Sequence, residues 1–156
     1  MIKTKKYAAF LLLASCLFLS GCGVAALKNT NQNTRLDLIA QNITKVPESV
    51  FNQTDLEELN LSGNNLIGSL PAEVGRLQKL KSLNISNNKM TGLPAEIGQL
   101  LSLEELNVSN NQLTGLPYEL GNLKNLKTFT ISGNPYSEKD LNIIKAALPA
   151  QTIIIK

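Results

Sequence analysis

Few residue types in this chain could support covalent or metal chemistry, and those few stand apart from one another. Of 156 residues none is histidine and two are cysteine. Cys16 and Cys22 both fall in the first 23 residues, the second inside "LSGCG" at 19–23. A thiol can ligate a metal, form a disulfide, attack a substrate or carry a modification. Without histidine, and without any cysteine after residue 22, zinc and copper sites, His-assisted nucleophiles and a disulfide framework all lack partners. The carboxylates pair only as Glu57–Glu58 and Glu104–Glu105, with no candidate nucleophile and base beside them. Hard cations want several converging oxygens. The expectation is a protein that is no enzyme and holds no metal or cofactor, with Cys22 left for modification.

The flanks of Cys22 say which modification. Lys3, Lys5 and Lys6 form a basic start, Tyr7 to Leu19 is almost unbroken apolar sequence, and Ser20 and Gly21 are small. An apolar run of about 10–14 residues is too short for a comfortable membrane span and suits the core of a secretory signal. An uncleaved anchor or a short buried helix is the alternative. "LSGC" resembles the bacterial lipobox at all four positions. The resemblance implies cleavage after Gly21, diacylglycerol on the Cys22 thiol and a further acyl chain on its amino group. Each buried methylene contributes about 0.8 kcal/mol, and two or more chains anchor stably where one does not. Residues 1–21 are thus read as a lipoprotein signal peptide that takes Cys16 with it. The expected location is a cell membrane, lipid-anchored on its extracytoplasmic side. Since Gly23 is not the aspartate of many inner-membrane lipoproteins, the outer membrane is preferred where a cell has one.

Removing the signal leaves equal numbers of cationic and anionic side chains. No basic tract or aromatic-interleaved patch remains, so nucleic acid is not an expected partner. Residues 22–34 are then the acylated cysteine and a small, polar, aperiodic linker.

From Arg35 the chain repeats itself. "LEELNLSGNNLIGSLPAEVGRLQK", "LKSLNISNNKMTGLPAEIGQLLS" and "LEELNVSNNQLTGLPYELGNLKN" follow a degenerate first copy and precede "LKTFTISGNPYSEKD". Residues 35–136 resemble the leucine-rich repeat, L-x-x-L-x-L-x-x-N-x-L, and their "LPAEIGQL" segments look like the Ras-group and plant-receptor subclass, with "LIGSLP" closest to the receptor form. The fold this implies is α/β: a short curved horseshoe, a leucine-rich repeat solenoid with a parallel sheet on its concave face. Residues 137–156 read as a helix-plus-strand cap. Ser137 and Asp140 suggest a capping box, and Leu141, Ile144, Ala147 and Leu148 a helix face.

The residues alone give the same architecture. Leu59/Leu61, Leu83/Ile85, Leu106/Val108 and Phe129/Ile131 alternate with polar residues, as in strands with one buried face. The "LPxEIGxL" returns supply further core leucines, with Gly75, Gly98 and Gly121 expected to end each turn. No copy can bury its apolar side alone, whereas a stack can. Asn64, Asn88, Asn111 and Asn134 form a column at the strand-to-loop corner, suited to backbone groups left unpaired by the bend. Gln41 holds this place in the first copy.

Side chains pointing out of the strands are the candidate ligand contacts: Glu58, Asn60, Ser82, Asn84, Glu105 and Asn107. Ser62, Ser86 and Ser109 form a third outward column. Glu57, Lys81, Glu104 and Lys127 alternate in sign and suggest a structural ladder of opposite charges. These readings lead to a membrane-tethered module that binds a protein or peptide, with a glycan as another ligand class. A structural or adhesive envelope protein that packs with its own copies is the competing reading.

Overall fold

The structure is a computed structural model that describes residues 34–156. The signal sequence, Cys22 and all of the linker but Thr34 lie outside the described residues. Thr34 already belongs to the fold, since its carbonyl accepts from the Glu57 and Glu58 amides at 2.7 and 3.0 Å.

Short alternating segments build the main sheet: β1 (Arg35–Asp37), β2 (Glu58–Asn60), β4 (Ser82–Asn84), β6 (Glu105–Asn107), β7 (Thr128–Thr130) and β8 (Ile153–Ile155). All pair in parallel, in that order. The register stacks Leu36, Leu59, Leu83, Leu106, Phe129 and Ile154 in one column. Side chains on either side of these leucines face outward, as period two requires. A second parallel pair, β3 (Ile67–Gly68) with β5 (Lys89–Met90), lies where "LIGSLP" lengthens the first full copy. The sequence reading did not foresee this pair.

The chain returns through 3-10 turns at Glu48–Asn52, Ala72–Arg76, Ala95–Gln99 and Tyr118–Asn122. Each follows a proline, whose fixed φ and missing N–H suit the residue before a turn. The glycines differ from expectation. Gly75, Gly98 and Gly121 lie inside the turns, which Leu77, Leu100 and Leu123 close. Close approach is what demands two of them. A Cβ on Gly98 would stand 2.2 Å from the Glu119 carbonyl oxygen of the next turn, and one on Gly121 2.6 Å from the Ala147 Cβ.

The core is the stack itself: Leu61, Leu77, Leu80, Ile85, Ile97, Leu100, Val108, Leu123 and Ile131 are fully enclosed. At its C-terminal end α1 (Glu138–Ala147) replaces the return turn and buries Leu141 and Ile144, while Ala147 stays exposed. Ser137 Oγ accepts from the Asp140 amide at 3.3 Å. The Asp140 carboxylate instead accepts from the Tyr118 hydroxyl at 3.3 Å, so only half of a capping box forms. Among the described residues no helix is long and apolar enough to cross a membrane.

Candidate binding face

Three residues after each strand the backbone must turn through a corner. Ala40, Gly63, Asn87, Asn110 and Gly133 take positive φ there, between 53° and 69°. Glycine and asparagine tolerate that region and other residues rarely visit it. This explains the "SGN" and "SNN" triplets, a signal present in the sequence but unread.

The next residue is the inner asparagine. Asn111 Oδ1 accepts from the Met90 amide at 3.0 Å, and its Nδ2 donates to the Ile85 and Val108 carbonyls at 3.0 Å each. Asn64, Asn88 and Asn134 repeat the pattern, each reaching into the preceding coil. Asn64, Asn88 and Asn111 are buried, whereas Asn134 under the cap is half-buried. Gln41 makes no such staple; its side chain is exposed, and its backbone N–H donates to Asn64 Oδ1 at 2.9 Å.

The outer asparagines behave otherwise. Asn60, Asn84 and Asn107 use Oδ1 to accept from the amide two residues on, at 3.0, 3.1 and 3.0 Å. Asn84 and Asn107 also accept from the hydroxyls of Ser86 and Ser109, at 2.7 and 2.8 Å. These bonds fix the oxygens inward and turn the amide nitrogens to the outer face as donors. They also correct the third column. Ser86 and Ser109 are buried at 4% and 7% exposure, because each strand is only three residues long and the chain bends before alternation reaches them.

On the outer face a shallow depression of about 250 Å³ is lined by Ser82, Asn84, Glu105, Asn107, Thr128 and Thr130, floored by Leu83 and Leu106. Four of the six candidate contacts meet there. Glu58 and Asn60 do not; Glu58 is held by Arg35 at 2.9 Å, which also pairs with Asp37 at 2.9 Å. Those two carboxylates, Asp37 first, raise the Arg35 pKa. Thr128 and Thr130 continue the same two outward columns on β7 but were not among the expected contacts. Glu105 has no ion-pair partner among the described residues and accepts a 3.4 Å hydrogen bond from Ser82.

The charge ladder is broken into pairs. Lys81 reaches back to Glu57 at 2.8 Å and Lys127 back to Glu104 at 2.6 Å, with no bridge from Lys81 to Glu104. Lys79 likewise reaches Asp55 at 2.6 Å. Each lysine therefore links its coil to the one before. Tyr118, which stands where Ala72 and Ala95 begin the two preceding turns, is the tie to Asp140 of the cap, and that carboxylate raises its pKa. No three His, Cys, Asp or Glu side chains are grouped for a metal ion among the described residues.

The family described as "Leucine-rich repeat region" matches residues 6–149. No curated protein is significantly similar to the chain. Among solved structures, a leucine-rich repeat protein of Leptospira interrogans is 43% identical with a TM-score of 0.69, over 74% of this chain and 29% of that one. The BIR3–SERK2 complex from Arabidopsis thaliana gives 30% identity and a TM-score of 0.62, over 76% of this chain and 65% of that one. The plant peptide hormone receptor RGFR1 in complex with RGF2 gives 33% identity and a TM-score of 0.64, over 78% and 20%. The chain thus spans less than two-thirds of the length of each.

Proposed function

From the premise that this chain belongs to the leucine-rich repeat family, we propose that it is a lipid-anchored module that captures a protein or peptide at the bacterial cell envelope. The observation that carries the reading is the depression between Ser82 and Thr130, where inward-locked amide oxygens leave nitrogen donors beside the unpaired Glu105 carboxylate. Such a surface offers donors and one acceptor to an extended polar chain, and a glycan could use the same groups. It supplies no reacting pair, so the protein is read as no enzyme. Two of the structures it resembles, BIR3–SERK2 and RGFR1 with RGF2, are complexes with a partner, which supports binding as the use of this face.

Aromatic and arginine side chains dominate most binding hot spots. None lines this depression. Three-residue strands about 4.8 Å apart make a narrow face that cannot easily bury the ~800 Å² per partner of a standard stable interface. A single copy should bind in the micromolar range or weaker. Lipid on Cys22 compensates by holding copies at high effective concentration in a plane. "LSGC" and the segment before it support that anchor on the extracytoplasmic side, with the outer membrane preferred where there is one.

Two measurements test the proposal. Crosslinking capture from the native envelope should be lost in Glu105→Lys and kept in Glu96→Lys on the return turns; the reverse result discards the outer face. Fatty-acid labelling should disappear in Cys22→Ser, and equal labelling removes the anchor. The structural or adhesive reading draws on a different feature, the apolar end of the sheet.

A further inference from the structure

The outer face is charged or polar from β1 to β7 and becomes apolar at its last strand. Ile153 and Ile155 continue the columns of Thr128 and Thr130 and are 63% and 45% exposed. β8 is the terminal strand of the sheet, and the element it packs on is β7. The Ile153 amide donates to the Lys127 carbonyl and the Ile155 carbonyl accepts from the Ile131 amide, both at 2.8 Å. Odd residues of β8 thus spend their backbone groups on β7, and alternation turns the Ile154 N–H and C=O outward. Edge strands are commonly guarded by a lysine. Lys156 is instead drawn to Glu138 of its own chain at 2.9 Å, leaving the edge open.

We propose that this edge is a self-docking surface, on which two copies of the chain pair β8 to β8, antiparallel about a two-fold axis at Ile154. The pairing is self-complementary. Ile154 would exchange both backbone hydrogen bonds with its counterpart. Ile153 would face Ile155 of the second copy across a non-hydrogen-bonded pair, the closer of the two antiparallel geometries. Lys156 N–H would meet the Thr152 carbonyl. Four isoleucines then cover one another on the outer face of a continuous sheet, with isologous symmetry. Head-to-tail stacking of β8 on β1 is disfavoured on charge, because it sets Ile153 and Ile155 against Arg35 and Asp37, an ion pair at 2.9 Å. One short strand and two isoleucines per copy fall well below a standard stable interface. The dimer is therefore weak and concentration-dependent.

The test uses the full chain in detergent micelles, heavy and light isotopic forms mixed, with Ile155 replaced by a photo-crosslinking phenylalanine analogue. Crosslinks joining position 155 of one copy to residues 151–156 of another are expected. Ile154→Pro removes the outward N–H while leaving the β7 bonds, and proline is tolerated at such an edge position. It should cut the crosslink yield about tenfold or more, a loss of about 1.4 kcal/mol. Because the Ile154 side chain also packs against the core, the exposed Ile153 carries the variant whose unfolding midpoint is retained. Ile153→Lys should do the same by setting a charge against the opposite isoleucine. Crosslinks to other segments, or to a different protein in cells, overturn the proposal, as does an unchanged yield in both variants. Glu105→Lys should leave the crosslink untouched, so this dimer and partner capture fail separately.

Discussion

Two columns of asparagine run side by side through this molecule, four residues apart in each coil, and do opposite things. Asn88 and Asn111 sit inside the corner and bond at both ends of the amide to backbone from two coils. Asn84 and Asn107 sit on the outer face and bond only at the oxygen, within their own coil. The same side chain is a rivet in one column and a presented donor in the other. What separates them is whether the surrounding backbone has unmet groups that water cannot reach. The Met90 amide is buried and needs Asn111; nothing buried needs the Asn107 nitrogen.

That contrast can be broken by substitution. Leu106→Ala sets the scale, since it empties a position 1% exposed at the centre of the sheet; it should cost about 2–5 kcal/mol in urea unfolding. Asn111→Ala should approach that range, at about 2 kcal/mol or more, because it strands a buried amide and the carbonyls it served. Asn107→Ala should cost less than Asn111→Ala, at about 1 kcal/mol, since it removes the two bonds from Ser109 but serves no second coil, while weakening partner capture. Equal costs in the two columns would end the distinction drawn here.

Ser109 sharpens it. Its hydroxyl is buried and bonds to Asn107 Oδ1 at 2.8 Å. Ser109→Ala should therefore lose about 0.5–1.5 kcal/mol, where a solvent-facing serine would lose nothing measurable. In the first coil the corner residue is Ala40, with φ at 53°, where other coils use glycine or asparagine. Ala40→Gly should raise stability by about 1 kcal/mol, and no gain in the urea midpoint would mean that the first corner carries no strain.

Sequence periodicity made the sheet, the returns and the inner column legible because each recurs at one place per copy. The same periodicity misled at Ser86 and Ser109, where alternation was carried past the end of a three-residue strand. Gly98 is expected from the sequence to end its turn but lies inside it, and the Glu119 carbonyl that excludes a side chain there belongs to the next coil. Ile153 and Ile155 were legible as a strand but not as an exposed apolar end, which depends on the sheet stopping there. For the candidate contacts, type and parity were readable. Which of them share a depression was not, because the pairing of Glu58 with Arg35 depends on side-chain reach, which spacing does not encode.

The smallest expected effect separates amide rivets from charged ones. An asparagine carries no titratable group, so the inner column contributes the same stability at every pH where the chain folds. The Lys127–Glu104 pair does not. Its 2.6 Å bond lowers the Glu104 pKa, against an opposing desolvation, so the pair's contribution is complete above the ordinary glutamate value and fades as pH falls through the lower folded value. Lys81 has the opposite sign: Glu57 raises its pKa, chiefly by the hydrogen bond, so its contribution holds below the ordinary lysine value and is lost as pH rises through the folded one. Both pairs are solvent-exposed, and salt screens such pairs strongly. Lys127→Met should leave the urea midpoint at neutral pH nearly unchanged. Wild type should fall slightly more steeply than the variant below about pH 4.5, and about 1 M salt should erase that difference. Asn111→Ala should keep its deficit across both changes. If salt erases the asparagine deficit as well, the inner column is acting through charge, and its separation from the outer one is not a matter of buried backbone.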